Sequence, residues 1–164
     1  MDNSDPPFVA IVWHSRTGAS QAMAEAVAEG AGLSGMLIAA QDAEPELLAR
    51  ASAFIFVCPE NLGSLSGAMK DMFDRCYYPL LDRIAGRAYA TIIAAGSAGQ
   101  GAEAQIDRIV AGWRLRRVAD SLIVNLAAQT PEAILAPKIV PRPALSSCKE
   151  LGTAMAEGIR IGII

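Results

Sequence analysis

The sequence predicts an α/β protein built on a doubly wound, five-stranded parallel sheet with helices on both faces. Three observations carry that reading. Five short apolar runs without helical spacing alternate with segments whose apolar residues recur at three- and four-residue steps. The hydrophobic fraction is 52% while aromatic residues make up only 5%, so the apolar mass is mostly Ala, Leu, Ile and Val, as suits strands buried beneath helices. A chain of 164 residues has room for one substantial core, so a single domain over residues 8–164 is expected. Strands alternating with helices in this way pair in parallel through right-handed crossovers.

The first run, FVAIVW (8–13), reads as a strand buried on both faces. Residues 18–31 read as an alanine-rich helix with Ala22, Ala26, Val27 and Gly30 on its close-packed side, ended by Gly30 and Gly32. GMLIA (35–39) is the second strand. DAEPELLARA (42–51) is a short helix with Asp42 as cap and Pro45 in the first turn. AFIFVC (53–58) is a third strand, stopped by Pro59. Over residues 66–84, Met69, Met72, Phe73, Cys76 and Leu80 fall on one helical face, and Pro79 bends the last turns. YATIIAAG (89–96) is the fourth strand, a helix follows over 101–116, and SLIVNL (121–126) is the fifth strand. AAQTPEAILAPKIVPRP (127–143), with four prolines, reads as a long connection before a last helix over 144–160.

Charge and cysteine usage narrow the setting. A net charge of −3 is the wrong sign for a general nucleic-acid binder. The one local basic patch, WRLRR (113–117), reads as a solvated helix end with cations near the C-terminal dipole. Cys58, Cys76 and Cys148 are odd in number and lack a CxxC, so neither a disulfide framework nor a metal site is expected, and a cytoplasmic location is the default. The opening MDNSDPP has no basic or apolar signal region, so residues 1–7 are expected to be a disordered tail. No apolar run approaches the ~18 residues of a membrane span.

Sheets of this kind bind ligands beyond the carboxyl ends of their strands, where strand order reverses. The loops after strands one, three and four are therefore the ones to weigh, and all three are unusual. HSRTGAS (14–20) combines hydroxyls with a glycine at a helix start, a donor-rich end suited to a phosphomonoester. CPENLGSLSG (58–67) and GSAGQG (96–101) carry glycines that let backbone approach a flat ligand.

At these residues the sequence resembles the flavodoxin-like flavoproteins, especially the branch of NAD(P)H-dependent FMN reductases and WrbA-type quinone reductases. Ser15, Arg16, Thr17, Gly18, Ala19 and Ser20 match the family's Ser/Thr-x-Thr-Gly-x-Ser/Thr phosphate loop, and PENLGSLSGAMKDMFDR resembles that branch's segment after strand three. The resemblance spans residues 9–124 and implies strand order 2-1-3-4-5. It further implies an FMN phosphate on residues 15–20. The isoalloxazine would lie between Pro59, Glu60, Asn61, Leu62, Gly63 and Ser64 on one side and Ser97, Ala98, Gly99, Gln100 and Gly101 on the other. NAD(P)H is the implied electron donor, with a quinone, a flavin or a similar small acceptor. No catalytic residue is assigned, because the cofactor carries hydride chemistry and needs no protein acid or base.

Other uses of this topology lack their residues. There is no GxxxxGK[ST] loop, no GxGxxG after strand one, and Leu65 stands where a GxSxG elbow needs serine. A receiver domain would need acidic residues where Trp13, His14 and Cys58 stand. His14 reads as a packing or hydrogen-bonding residue, Cys58 as a small buried hydrophobe, and Trp13 and Trp113 as packing residues. Lys70, Asp71, Asp74, Asp82 and Arg83 read as a solvated face. Arg16 has two open readings, phosphate neutralisation or projection into solvent. Two walls without Trp, Tyr or Phe favour an enzyme with an uncovered ring. An electron carrier docking on redox proteins, or an FMN-binding protein without turnover, are the alternatives. The segment 131–143 and the terminal IRIGII are candidate lid or homo-oligomer elements, with packing back onto its own sheet the equal alternative for the tail.

Overall fold

The computed structural model describes residues 6–164. The expected tail over 1–7 lies mostly outside the described residues; Pro6 and Pro7 are exposed and irregular. In chain order the elements are β1 (Val9–Trp13), α1 (Ala19–Ala31), β2 (Gly35–Ala39), α2 (Pro45–Arg50), β3 (Ala53–Asn61), β4 (Ser64–Leu65) and α3 (Gly67–Leu80). There follow β5 (Ala88–Ala95), α4 (Gln100–Gly112), β6 (Arg116–Arg117), β7 (Leu122–Asn125), α5 (Pro131–Leu135) and α6 (Arg142–Ile161).

The five main strands run β2-β1-β3-β5-β7, all parallel, which is the expected order with the short β4 and β6 added. Side-chain alternation divides the core between the two faces. Phe54, Phe56, Tyr89 and Ile93 join Leu48, Met69, Met72, Phe73, Ile106 and Trp113 on the α2/α3/α4 side. Val9, Ile11, Ile55, Val57 and Ile92 join Met23, Val27, Cys148 and Met155 on the α1/α6 side. Each fully buried aliphatic or aromatic side chain contributes about 1.5–3 kcal/mol, so the two layers hold the sheet rigid beneath its loops. Most of the few aromatics serve this core: Phe56, Phe73 and Trp113 form a chain of ring contacts at 5.2 and 5.5 Å.

Several elements depart from the expected boundaries. The strand β3 does not stop at Pro59 but runs to Asn61. The Val57 carbonyl accepts the His14 N–H, so Pro59, two residues on, turns its nitrogen toward the same side, where β1 has already ended. The missing N–H therefore costs no ladder bond. Asp42 does not cap α2; it lies in a 3₁₀ turn, and Glu44 takes the cap position. Helix α3 ends at Leu80, one residue after Pro79, and the chain then turns through Asp82 at φ 63°. Asp82 and Arg83 thus lie beyond the helix, where Arg83 pairs with Glu46 at 2.8 Å.

On α1 the residues facing the sheet are Ala19, Met23, Ala24, Val27 and Ala31, while Ala22, Ala26 and Gly30 are only partly buried. Gly30 and Gly152 let α1 and α6 approach closely: a Cβ on either would collide with a main-chain carbonyl of the other helix. The basic patch is also placed differently from the solvated helix end expected. Helix α4 stops at Gly112, Trp113 is buried with its indole N–H on the Tyr77 carbonyl at 2.9 Å, and Arg116 and Arg117 form β6. There the Arg117 guanidinium pairs with Asp107 and lies over the Tyr89 ring. The long connection contains α5, started by Thr130, whose hydroxyl accepts the Ala133 N–H, and by Pro131 at the first helical position.

Candidate functional site: a cleft at the carboxyl edge of the sheet

A cleft of about 290 Å³ opens at the carboxyl edge of β1, β3 and β5. Its first wall is the β1–α1 turn, through Ser15, Arg16, Thr17, Ala19 and Ser20. Gly18 turns the chain into α1 at φ 98°, a conformation that favours glycine, and a Cβ there would meet open space, so backbone angle alone demands glycine. Its N–H donates to Ser15 Oγ at 3.1 Å and its carbonyl accepts the Ala22 N–H at 3.0 Å. The first-turn amides that follow have no intrahelical acceptor, and no acidic residue occupies that turn.

Ser20 sharpens the picture. Its side chain is 1% exposed, it lines the cleft, and its hydroxyl has no hydrogen-bond partner among the described residues. A buried hydroxyl left unpaired costs about 1–3 kcal/mol. An acceptor-rich anion at this helix end would satisfy both the hydroxyl and the amides, the donor set a phosphomonoester needs. Arg16 stands exposed at the same wall, without an ion-pair partner among the described residues.

Pro59, Glu60, Asn61, Leu62 and Gly63 form the second wall. Leu62 and Gly63 have φ 54° and 74°, so the β3–β4 hairpin closes on a turn with both central residues left-handed, and fully exposed Leu62 stands at the rim. Ser64 lies in β4 and does not line the cleft.

The third wall departs most from expectation. Of its five anticipated residues only Ser97 lines the cleft; Ala98, Gly99, Gln100 and Gly101 do not. The Glu60 carboxylate is the physical reason. It accepts the N–H of Gly99 at 3.0 Å and of Ala102 at 3.1 Å, which uses the α4 N-terminus internally. Gly99 and Gly101 serve packing, since a Cβ on them would collide with Ile123 and with the Gly63 carbonyl. The wall is built instead from Ala94, Ala95 and Gly96 at the end of β5.

A fourth wall, Leu126, Ala128, Ile134 and Lys138 from the segment after β7, lies outside the three loops the sequence singles out; Ile134 and Lys138 fall in the 131–143 segment read as a candidate lid or homo-oligomer element. The strand rule that singled out three loops applies equally to β7, and Thr-Pro-Glu-Ala marks the start of α5; Lys138 has no such signal. Among the described residues no side chain lining the cleft is aromatic. His14 lies outside the lining, with Nδ1 2.8 Å from Ser66 Oγ, and burial holds its pKa below the ordinary value. Cys58 is buried and also outside it, its thiol pushed up to about 12 by burial, so it behaves as a small hydrophobe. Cys76 and Cys148 are likewise free and buried, and no helix among the described residues is long and apolar enough to cross a membrane.

A doubly wound parallel sheet of this order, with an anion-ready helix end at its switch point, defines the flavodoxin-like class. Similarity to solved structures agrees. The chain superposes on a flavodoxin from the domain Archaea with TM-score 0.73 and 18% identity, covering 93% of this chain and 98% of that one. For a flavodoxin, WrbA-like protein from Agrobacterium tumefaciens the TM-score is 0.70 at 22% identity, over 94% and 98%. The rubredoxin oxygen:oxidoreductase of Desulfovibrio gigas gives 0.72 at 12% identity, over 94% of this chain and 36% of that chain. No curated protein matches. The model of the NADPH-dependent FMN reductase family matches residues 42–128, and the chain belongs to that family. The match takes in the second and third walls; the β1–α1 turn lies before it.

Proposed function

We propose that the cleft binds FMN and that the protein is an oxidoreductase passing electrons from NAD(P)H to a quinone, a flavin or a similar small acceptor. The observation that carries the reading is the buried, unpartnered Ser20 hydroxyl beside the open N-terminus of α1. In this reading Ser15, Thr17, Ser20 and the first-turn amides hold the phosphate, with Arg16 offsetting its charge. Gly18 holds the turn. Pro59, Glu60, Asn61, Leu62 and Gly63 flank one side of the ring, with Ser64 supporting the hairpin. Residues 94–97 flank the other, with Ala98, Gly99, Gln100 and Gly101 supporting them from behind.

Bound FMN supplies two-electron chemistry, and the protein supplies orientation and electrostatics. Among the described residues the walls present no aromatic side chain to cover the ring, so its face stays open to a flat partner, which favours turnover over a ring-covered carrier. The test is direct. Titration with FMN should quench flavin fluorescence saturably, and Thr17→Glu should abolish that binding by repulsion while leaving the fold intact. NADH or NADPH oxidation with a quinone or free FMN as acceptor then separates enzyme from carrier. A chain that binds no FMN overturns the reading.

A further inference from the structure

We propose that Lys138 is a positioning residue for this site: its ammonium clasps the 126–141 segment over the cleft and does not bind the cofactor phosphate. The proposal rests on the FMN reading above. The segment is pinned at one end where the Leu126 N–H meets the Ala95 carbonyl at 2.8 Å and the Ala128 N–H meets the Gly96 carbonyl at 3.0 Å. A Cβ on Gly96 would stand 2.5 Å from the Ala128 oxygen, so glycine is what permits this seating. At the other end the Lys138 main-chain N–H donates to the Thr17 carbonyl at 2.9 Å, fastening the segment to the β1–α1 turn. Between the two lies α5, which brings Ile134 into the cleft wall.

A five-residue helix has no stability of its own in water, and its last carbonyls lack intrahelical donors. The Lys138 ammonium supplies them. Nζ donates to the carbonyls of Ala133 at 2.6 Å, Ile134 at 2.9 Å and Ala136 at 2.5 Å. An ammonium has three donors, and all three are engaged. A cation beside the phosphate turn therefore has no proton left for a phosphate, and its work is to hold Ile134 and its neighbours in place.

That assignment makes a distinguishing prediction. Dissociation constants for FMN and riboflavin are measured by flavin fluorescence for the wild type and for Lys138→Met. Both flavins should weaken by a similar factor, about tenfold, since the loss is an ordering cost of the segment. Lys138→Arg should recover part of it. Hydrogen exchange of the Ile134 and Ala136 amides should accelerate in Lys138→Met even without flavin, because their partners, the Thr130 and Glu132 carbonyls, belong to the unclasped helix. Loss of FMN affinity with riboflavin unaffected would mean a direct phosphate contact and would overturn the proposal, as would unchanged affinities and exchange. Should Lys138→Met fail to fold, Ile134→Ala in the same assay must weaken both flavins alike, and unchanged binding overturns it. A wild type that binds neither flavin defeats the FMN reading instead, while the exchange measurement still decides the clasp.

Discussion

The Glu60 carboxylate at the end of β3 accepts the main-chain N–H of Gly99 at 3.0 Å and, through its other oxygen, that of Ala102 at 3.1 Å. Helices α1 and α4 both begin at the carboxyl edge of the sheet beside the cleft, and each offers a positive end to an anion. The α4 end is closed by the carboxylate from the end of β3; the α1 end has no acidic residue in its first turn. In the FMN reading the phosphate end of the cleft is therefore at α1. Removing the carboxylate strips the α4 N-terminus of this acceptor, and Gly99 has no side chain to replace it. Glu60→Ala should lower stability by about 1–2 kcal/mol, read as a fall in the urea midpoint. An unchanged midpoint would show that the contact adds nothing.

Ser20 and Thr91 are the two buried hydroxyls without a partner among the described residues, and they should respond to substitution in opposite ways. Thr91 lies within β5, buried and away from the cleft lining, so its hydroxyl only costs desolvation. Thr91→Val keeps the shape and should raise stability by up to about 1 kcal/mol with FMN affinity unchanged. Ser20→Ala should likewise leave the free protein as stable or more so, yet weaken FMN by about tenfold as one phosphate donor is lost. Urea melts and FMN titrations on the two variants separate a packing defect from a ligand site. Equal FMN affinity in Ser20→Ala would remove that serine from the phosphate end.

What could be read from the sequence follows from what each signal measures. Apolar periodicity reports burial, so the five main strands and the α3 face of Met69, Met72, Phe73, Cys76 and Leu80 were legible, and their alternation with helices pointed to parallel pairing; the strand order came from the family resemblance of residues 15–20 and 59–75. Hydroxyls next to glycine before a helix report an open N-terminus, so the β1–α1 turn was legible too. Glycine content is ambiguous because it reports close approach without naming the approaching group. At Gly99 and Gly101 that group is the protein's own Ile123 and Gly63, which is why these two glycines lie behind the cleft lining. For the fourth wall the sequence offered only a proline-rich lid candidate over 131–143, because the Lys138 ammonium bonds main-chain carbonyls, which leave no residue-type pattern.

His14 gives the protein a pH dependence of definite sign. It is the only histidine, and burial holds its imidazole below the ordinary value of 6.5. The unfolded chain therefore takes up this proton at a higher pH than the folded one. The stability linked to His14 is complete above about pH 6.5 and is lost as pH falls through that value toward the lower folded-state pKa. Urea midpoints should decline from about pH 7.5 to about 5.5, a window above most carboxylate titrations. His14→Asn should flatten that decline, and an equally steep decline in the variant would assign it to other groups.

Leu62 holds a left-handed backbone at the rim of the cleft while its side chain is fully exposed, so nothing inside the fold repays the strain. For a bulky residue that conformation costs about 1–2 kcal/mol, and a turn with both central residues left-handed prefers asparagine or glycine. The return on that cost, in the FMN reading, is apolar contact with the ring. Leu62→Asn should then change two quantities in opposite directions. The urea midpoint of the free protein should rise, because the turn relaxes and no buried contact is lost. FMN affinity should fall several-fold, roughly the burial of part of one aliphatic side chain. Higher stability with unaltered FMN binding would place Leu62 outside the ring contact, and lower stability would refute the strain itself.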